Sequence, residues 1–456
     1  MSIMSKRSRS ILTSTLIFLT LFSLSLLAAE TAIVPEPETH KLENGLQVLL
    51  VPQRGVEIAT VDLWVKAGSV NEDPENNGLS HFFEHMLFVA TENRPPGTID
   101  REVEAVGGHT NAATSRDYTH YFVNLPSSHL EKAIDILADI TRHSTFPQAK
   151  LERERKVILR ELGQREDDPG TYVHQLLWQN FFQQHPYRLP IGGRQESLQN
   201  ITREDFLRYM EEYYVPSNMT LVVSGNFDRE RALAEIKATF GQMEARPSPP
   251  HPSPGEASPS LLPQKEKKVV TRDVHQDYLI LAWKAPSVKE KEEVYALDLL
   301  STILSGGRTS RLYRNVYKDK TLVSAPPNAY FTTMRYPSIF YLYAQLPPEN
   351  YEQAKSALLE ELKKIMEEGL SEEELNRAKT KILSNYAFSN ETYQGVASTL
   401  GYYATVAGDY RFALEYPQGI QSVTVEEIQK VLRKYVDTET YFEALLKPES
   451  EKGGTG

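Results

Sequence analysis

The chain has 456 residues, more than a single hydrophobic core commonly organises, so length points to several domains. A formal net charge of -11 argues against nucleic acid as a partner, because phosphates would meet like charge. There is no cysteine, which excludes disulfides, a thiol nucleophile and thiolate metal sites, so any metal must be held by His, Asp or Glu.

At the N-terminus, Lys6, Arg7 and Arg9 precede the apolar run Ile11 to Ala29, which ends in the small pair Ala28-Ala29. A basic region, an apolar stretch and a small-residue end form a Sec-type signal peptide over residues 1–29, cut near Ala29. The competing reading is an uncleaved anchor, since a run of this length can cross a bilayer. On the first reading the protein is exported, periplasmic or secreted, with no stable membrane span after cleavage.

Strands follow. "GLQVLLVP" (45–52) and "IATVDLWVKAG" (58–68) read as a paired hairpin, and "THYFVNLP" (119–126) alternates with period two. Residues 244–265 contain seven prolines and read as an extended linker. It separates residues 38–243 from residues 266–448, with 449–456 as a disordered tail. The two parts share a pattern. "LPSSHLEKAIDILADI" resembles "LPPENYEQAKSALLEEL", and "FPQAKLERERKVILREL" resembles "LSEEELNRAKTKILSNY". The third pair of blocks starts at Thr202 and Thr424, each an N-cap for a helix that leads into a strand. The fold class expected is α+β: two homologous halves, each a mostly antiparallel sheet covered by helices.

"GLSHFFEHMLF" (78–88) places His81, Glu84 and His85 within an arc of about 100° on a helix. Histidines at i and i+4 can hold one tetrahedral Zn²⁺, and the flanking glutamate can reach a water on it. Zinc needs a third protein ligand. Glu154 and Glu161 lie two helical turns apart on one face, and Glu161 follows His85 by 76 positions. A solvated charged face is the plainer reading of that stretch, but Val157, Ile158 and Leu162 mark a partly buried helix.

The H-x-x-E-H order with a glutamate 76 positions on, "GGHTNAATSRDYTHY", "ERERKVILREL" and "ILSGGRTSRLY" together resemble the pitrilysin/insulinase zinc metallopeptidases, the inverzincins. The likeness runs from about Lys41 to Lys447 and is to the short bacterial kind, similar to the mitochondrial processing peptidase beta subunit. It implies an endopeptidase of extended or unfolded peptides with one Zn²⁺ per chain. His81, His85 and Glu161 would be the metal ligands and Glu84 the catalytic base. Glu154 would orient a ligand histidine. Peptide would add as a strand to the edge "TNAATS", touched by Asn111 and Ala112, with Phe88 lining a pocket.

One departure stands out. Active relatives carry an Arg and a Tyr seven residues apart in the second half, where this chain has Tyr317 and Ser324. In that half Ala378 and Asn385 occupy the glutamate positions. The resemblance therefore implies a heterodimer in which a homologous partner supplies the Arg/Tyr pair and closes a chamber of four related domains. In a monomer or homodimer, Tyr313, Lys318 or Tyr330 would have to substitute. The rival reading is a non-catalytic or weakly active structural subunit. His109, His120 and His143 lack partners at ligand spacing and are expected to be surface or hydrogen-bonded. "GGR" (192–194) and "SGGRTS" (305–310) lack the Lys of a phosphate-binding loop.

Overall fold

The computed structural model describes residues 33–250 and 266–449. The expected signal segment, most of the Pro-rich stretch and the tail beyond Glu449 lie outside the described residues. Among the described residues eleven strands form two sheets. They are β1 (Glu38–Lys41), β2 (Gln47–Pro52), β3 (Ile58–Val65), β4 (His109–Thr114), β5 (Thr119–Pro126) and β6 (Met219–Gly225) in the first half. The second half has β7 (Glu266–Arg272), β8 (Asp277–Ala285), β9 (Asn328–Phe331), β10 (Ser338–Leu346) and β11 (Phe442–Pro448).

The sheet orders are β1-β2-β6-β3-β5-β4 and β7-β11-β8-β10-β9. Apart from β1, the two orders correspond strand for strand. β2 with β6 and β7 with β11 are parallel, and the other pairs are antiparallel. This is the mostly antiparallel α+β architecture expected from the repeated blocks. The capping residues repeat too: Thr202 accepts from the Asp205 backbone N–H and Thr424 from that of Glu427, each in a full capping box.

The hairpin of β2 and β3 does not form. β6 lies between them, parallel to β2 and antiparallel to β3. The sequence "MTLVVSG" is buried along its whole length, so it can take the sheet centre. The segment 53–57 is long enough to cross the about 10 Å of two strand spacings.

Four helices matter for the site: α1 (Leu79–Leu87), α2 (Gln148–Asp167), α3 (Pro169–Phe181) and α4 (Tyr393–Val406). The pleat of β3 divides its side chains between two faces. Ala59, Val61, Leu63 and Val65 join the core that includes Phe82, Phe83 and Met86 of α1. The opposite face meets α4 from the other half, where Trp64, Leu49, Val51 and Val222 pack with Val396, Ala397, Leu400 and Ala404. The reverse exchange also occurs. Val173, Leu177 and Phe181 of α3 pack on Ile280, Ala282, Phe442 and Ala444 of the second sheet. Each sheet is thus covered on one face by a helix from the other half. Among the described residues no helix is long and apolar enough to cross a membrane.

The α4 contact is close. A Cβ on Gly401 would lie 2.2 Å from Trp64 Nε1, and both residues are buried. Gly401→Ala should therefore force the indole away and cost about 1–3 kcal/mol, read as a fall in the thermal unfolding midpoint. An unchanged midpoint would mean that this contact between halves is loose.

Candidate metal centre

α1 begins at Gly78, whose φ of 96° is left-handed and favours glycine. A Cβ there would lie 2.7 Å from Gly193 Cα, so "GGR" serves close backbone packing. The first turn of a helix leaves backbone N–H groups without partners. Here the buried carboxylate of Glu72 accepts from Gly78 N and Ser80 N, both at 2.8 Å, and from Asn77 Nδ2 at 2.8 Å. Burial raises the Glu72 carboxyl above its ordinary pKa, against the pull of those donors. Asn77 also donates to Pro190 O at 2.9 Å, and Tyr209 donates to Ser80 Oγ at 2.8 Å. Nothing in the sequence pattern singled out Glu72, because its partners meet it only through a turn.

One face of α1 buries Leu79, Phe82, Phe83, Met86 and Leu87. The other carries His81, Glu84 and His85. α2 anchors through Leu151, Ile158 and Leu162, and Arg155 donates to the carbonyl oxygens of Leu198 and Ile201. The two helices pack so that donor atoms of His81, His85 and Glu161 all lie within 4.8 Å of one another. Glu161 Oε2 is 3.9 Å from His85 Nε2, and Glu154 Oε2 is 3.8 Å from His85 Nδ1. The His81 and His85 rings are 4.7 Å apart at 70°.

This set fits a zinc ion. His81 Nδ1 is buried with no hydrogen-bond partner, so the ring has a bonding demand that the protein does not meet. Burial first, then His85 and Arg165, push the His81 pKa down to about 3. The ring is therefore neutral near pH 7, the form that binds metal. Two N and one O donor leave a fourth tetrahedral position free.

Glu84 accepts from Thr114 Oγ at 2.8 Å, which aims its carboxylate along the end of β4. Burial raises its pKa, while the Thr114 bond opposes this. β4 is the edge strand, and Asn111 and Ala112 lie on it, exposed and half-buried respectively. The Ala112 N–H donates to Asn111 Oδ1 at 2.9 Å. Phe88 lies just past the helix end, half-buried, edge-on to Tyr121 at 5.8 Å.

The excluded histidines all have partners. His120 meets Asp62 at 2.9 Å, His143 meets Asp139 at 2.9 Å, and His109 meets Asn124 at 3.1 Å. In the second half, Tyr313 to Lys318 form a π-helical turn, where Tyr317 packs 5.4 Å from Tyr313 and Lys318 is exposed. Ser324 N donates to Gln345 O at 2.7 Å. Tyr330, on edge strand β9, stacks on Tyr341 at 5.1 Å and neighbours His174 at 5.9 Å.

Two family models match this chain. One described as insulinase (peptidase family M16) covers residues 47–195, and one described as the peptidase M16 inactive domain covers residues 200–382. An uncharacterized zinc protease of Bacillus subtilis (strain 168) is 28% identical over 411 residues, 90% of this chain and 98% of its own. A probable mitochondrial-processing peptidase subunit beta of Arabidopsis thaliana is 28% identical over 426 residues, 90% of this chain and 78% of its own. The fold is similar to the crystal structure of a protease from Helicobacter pylori, with a TM-score of 0.83 and 27% identity. The match covers 91% of this chain and 100% of that one.

If Glu72 holds the start of α1, Glu72→Gln should lower stability by about 1–2 kcal/mol and speed Zn²⁺ loss to a chelator. Thermal denaturation and a chelator-competition assay measure the two effects; wild-type values in both would remove Glu72 from this role.

Proposed function

The chain belongs to the insulinase family of peptidases, family M16, and from that premise we propose that it is a zinc-dependent endopeptidase acting on extended peptides. The observation that carries this reading is the convergence of His81, His85 and Glu161 within 4.8 Å, beside a Glu84 on the same helix face. When bound, zinc supplies a Lewis acid that polarises the scissile carbonyl and acidifies water to a pKa of about 7. The chain's own residues supply the rest. Glu84, fixed by Thr114, takes the proton of the attacking water and returns it to the leaving amine. Glu154, against His85 Nδ1, orients that ring. The free edge of β4 offers backbone groups at Asn111 and Ala112 to an added peptide strand, which gives affinity with little sequence demand.

The proposed setting is an exported enzyme that works with a homologous partner subunit. Support for the partner is the absence of an Arg/Tyr pair, with Tyr317 packed on Tyr313 and Ser324 tied through its backbone. A relative in this family is itself named as a subunit. A structural, non-catalytic role is the second reading, favoured by the match of residues 200–382 to an inactive-domain model.

Glu84→Gln decides between the two. It should keep stoichiometric zinc and lose about a thousandfold in peptide cleavage. Cleavage untouched by Glu84→Gln would sink Glu84 as the base, and wild-type protein that retains no zinc would sink the zinc-peptidase reading. Full activity of the purified chain alone would sink the partner.

A further inference from the structure

Beside the far end of β4 lies a cleft of about 560 Å³, within the range of ordinary ligand sites. Its apolar walls are Val56, Ile58, Leu125, Pro126 and Tyr393, and His109 stands at its rim. Val56 is 66% exposed and Ile58 42%, an unusual pair of bare aliphatic side chains in one hollow. Both halves of the chain contribute, since Tyr393 and Gln394 open α4.

A polar network fixes the cleft's hydrogen-bonding face. Asn124 Oδ1 accepts from Thr60 Oγ at 2.6 Å. Asn124 Nδ2 donates to Gln394 Oε1 at 2.8 Å and to His109 Nε2 at 3.1 Å. His109 therefore accepts at Nε2, so its proton sits on Nδ1 and is available as a donor.

The cleft continues the edge proposed to bind substrate. β4 runs from His109, at the cleft, to Thr114, which bonds Glu84. At about 3.3 Å per residue that is roughly 17 Å of strand. A peptide paired along this edge reaches the cleft about three to five residues from the scissile bond. Its side chains alternate between faces, and those on the His109 side enter the hollow. We propose that this cleft is a distal specificity subsite that takes one apolar side chain of the substrate. The inference rests on the peptidase reading.

The test is peptide binding to zinc-loaded full-length Glu84→Gln protein, alongside cleavage by the wild type. Twelve-residue peptides carry leucine or serine at each position in turn. Leucine should outbind serine about tenfold at one position three to five residues from the cleavage point. Adding Val56→Glu or Ile58→Glu should erase that preference at that position and leave preferences elsewhere. Equal binding of leucine and serine at all of those positions overturns the subsite. So does a Val56→Glu or Ile58→Glu effect spread over every position. A preference that depends on Ile58, with no cleavage by the wild type either alone or paired with a homologous subunit that carries the Arg/Tyr pair, keeps the subsite and sinks the peptidase reading; cleavage without the preference does the reverse.

Discussion

The site depends on two backbones touching without side chains. Gly78 and Gly193 lie so close that a Cβ on either would come within 2.8 Å of the other's Cα. That approach sets where α1 starts, and so where His81 and His85 project. α2 is then fixed by its buried Leu151, Ile158 and Leu162 and by Arg155, which bonds the carbonyl oxygens of Leu198 and Ile201 at the end of the short helix Gln195–Asn200. The same stretch that supplies Gly193 thus steadies both helices. A candidate metal triad drawn from segments 76 positions apart needs such a common reference, because donor positions must hold to a fraction of an ångström.

Much of this was legible in the residues. The i, i+4 histidines, the amphipathic faces and the Thr202 and Thr424 caps are local, and local patterns survive folding. Helix periodicity put Glu161 and Glu154 on one face, and only the resemblance to the inverzincins singled out Glu161 as the ligand. The place of β6 was not, since strand order is a matter of long-range pairing that a run of apolar residues does not encode. Glu72, Thr114 and the Asn124 network were equally silent. Each is an ordinary polar residue whose meaning arises only once folding brings its partners to it, through a nearby turn for Glu72 and from distant segments for Thr114 and Asn124.

The site also shows how one chemistry is split between opposed demands. His81 must be dry to remain neutral, and its burial achieves that. Glu161 and Glu154 stay partly open, at 34% and 24% side-chain exposure. Glu84 is half-buried and tied to Thr114. The dry histidine and the wetter carboxylates thus meet across a single helix crossing, with the strand edge beside Glu84.

The exchange of α3 and α4 between the two sheets has a historical reading. Two identical halves, each lending one helix to the other, would make a closed two-fold dimer with a self-complementary interface. Joining such a pair in one polypeptide replaces association at cellular concentration by an intramolecular contact of far higher effective concentration. After that fusion the copies no longer needed to be alike. On that reading one copy could keep histidines and glutamates while the other changed, with Ala378 and Asn385 where the resemblance expects glutamates. On that reading, the asymmetry of this molecule is what a symmetric pair becomes once neither half can leave the other.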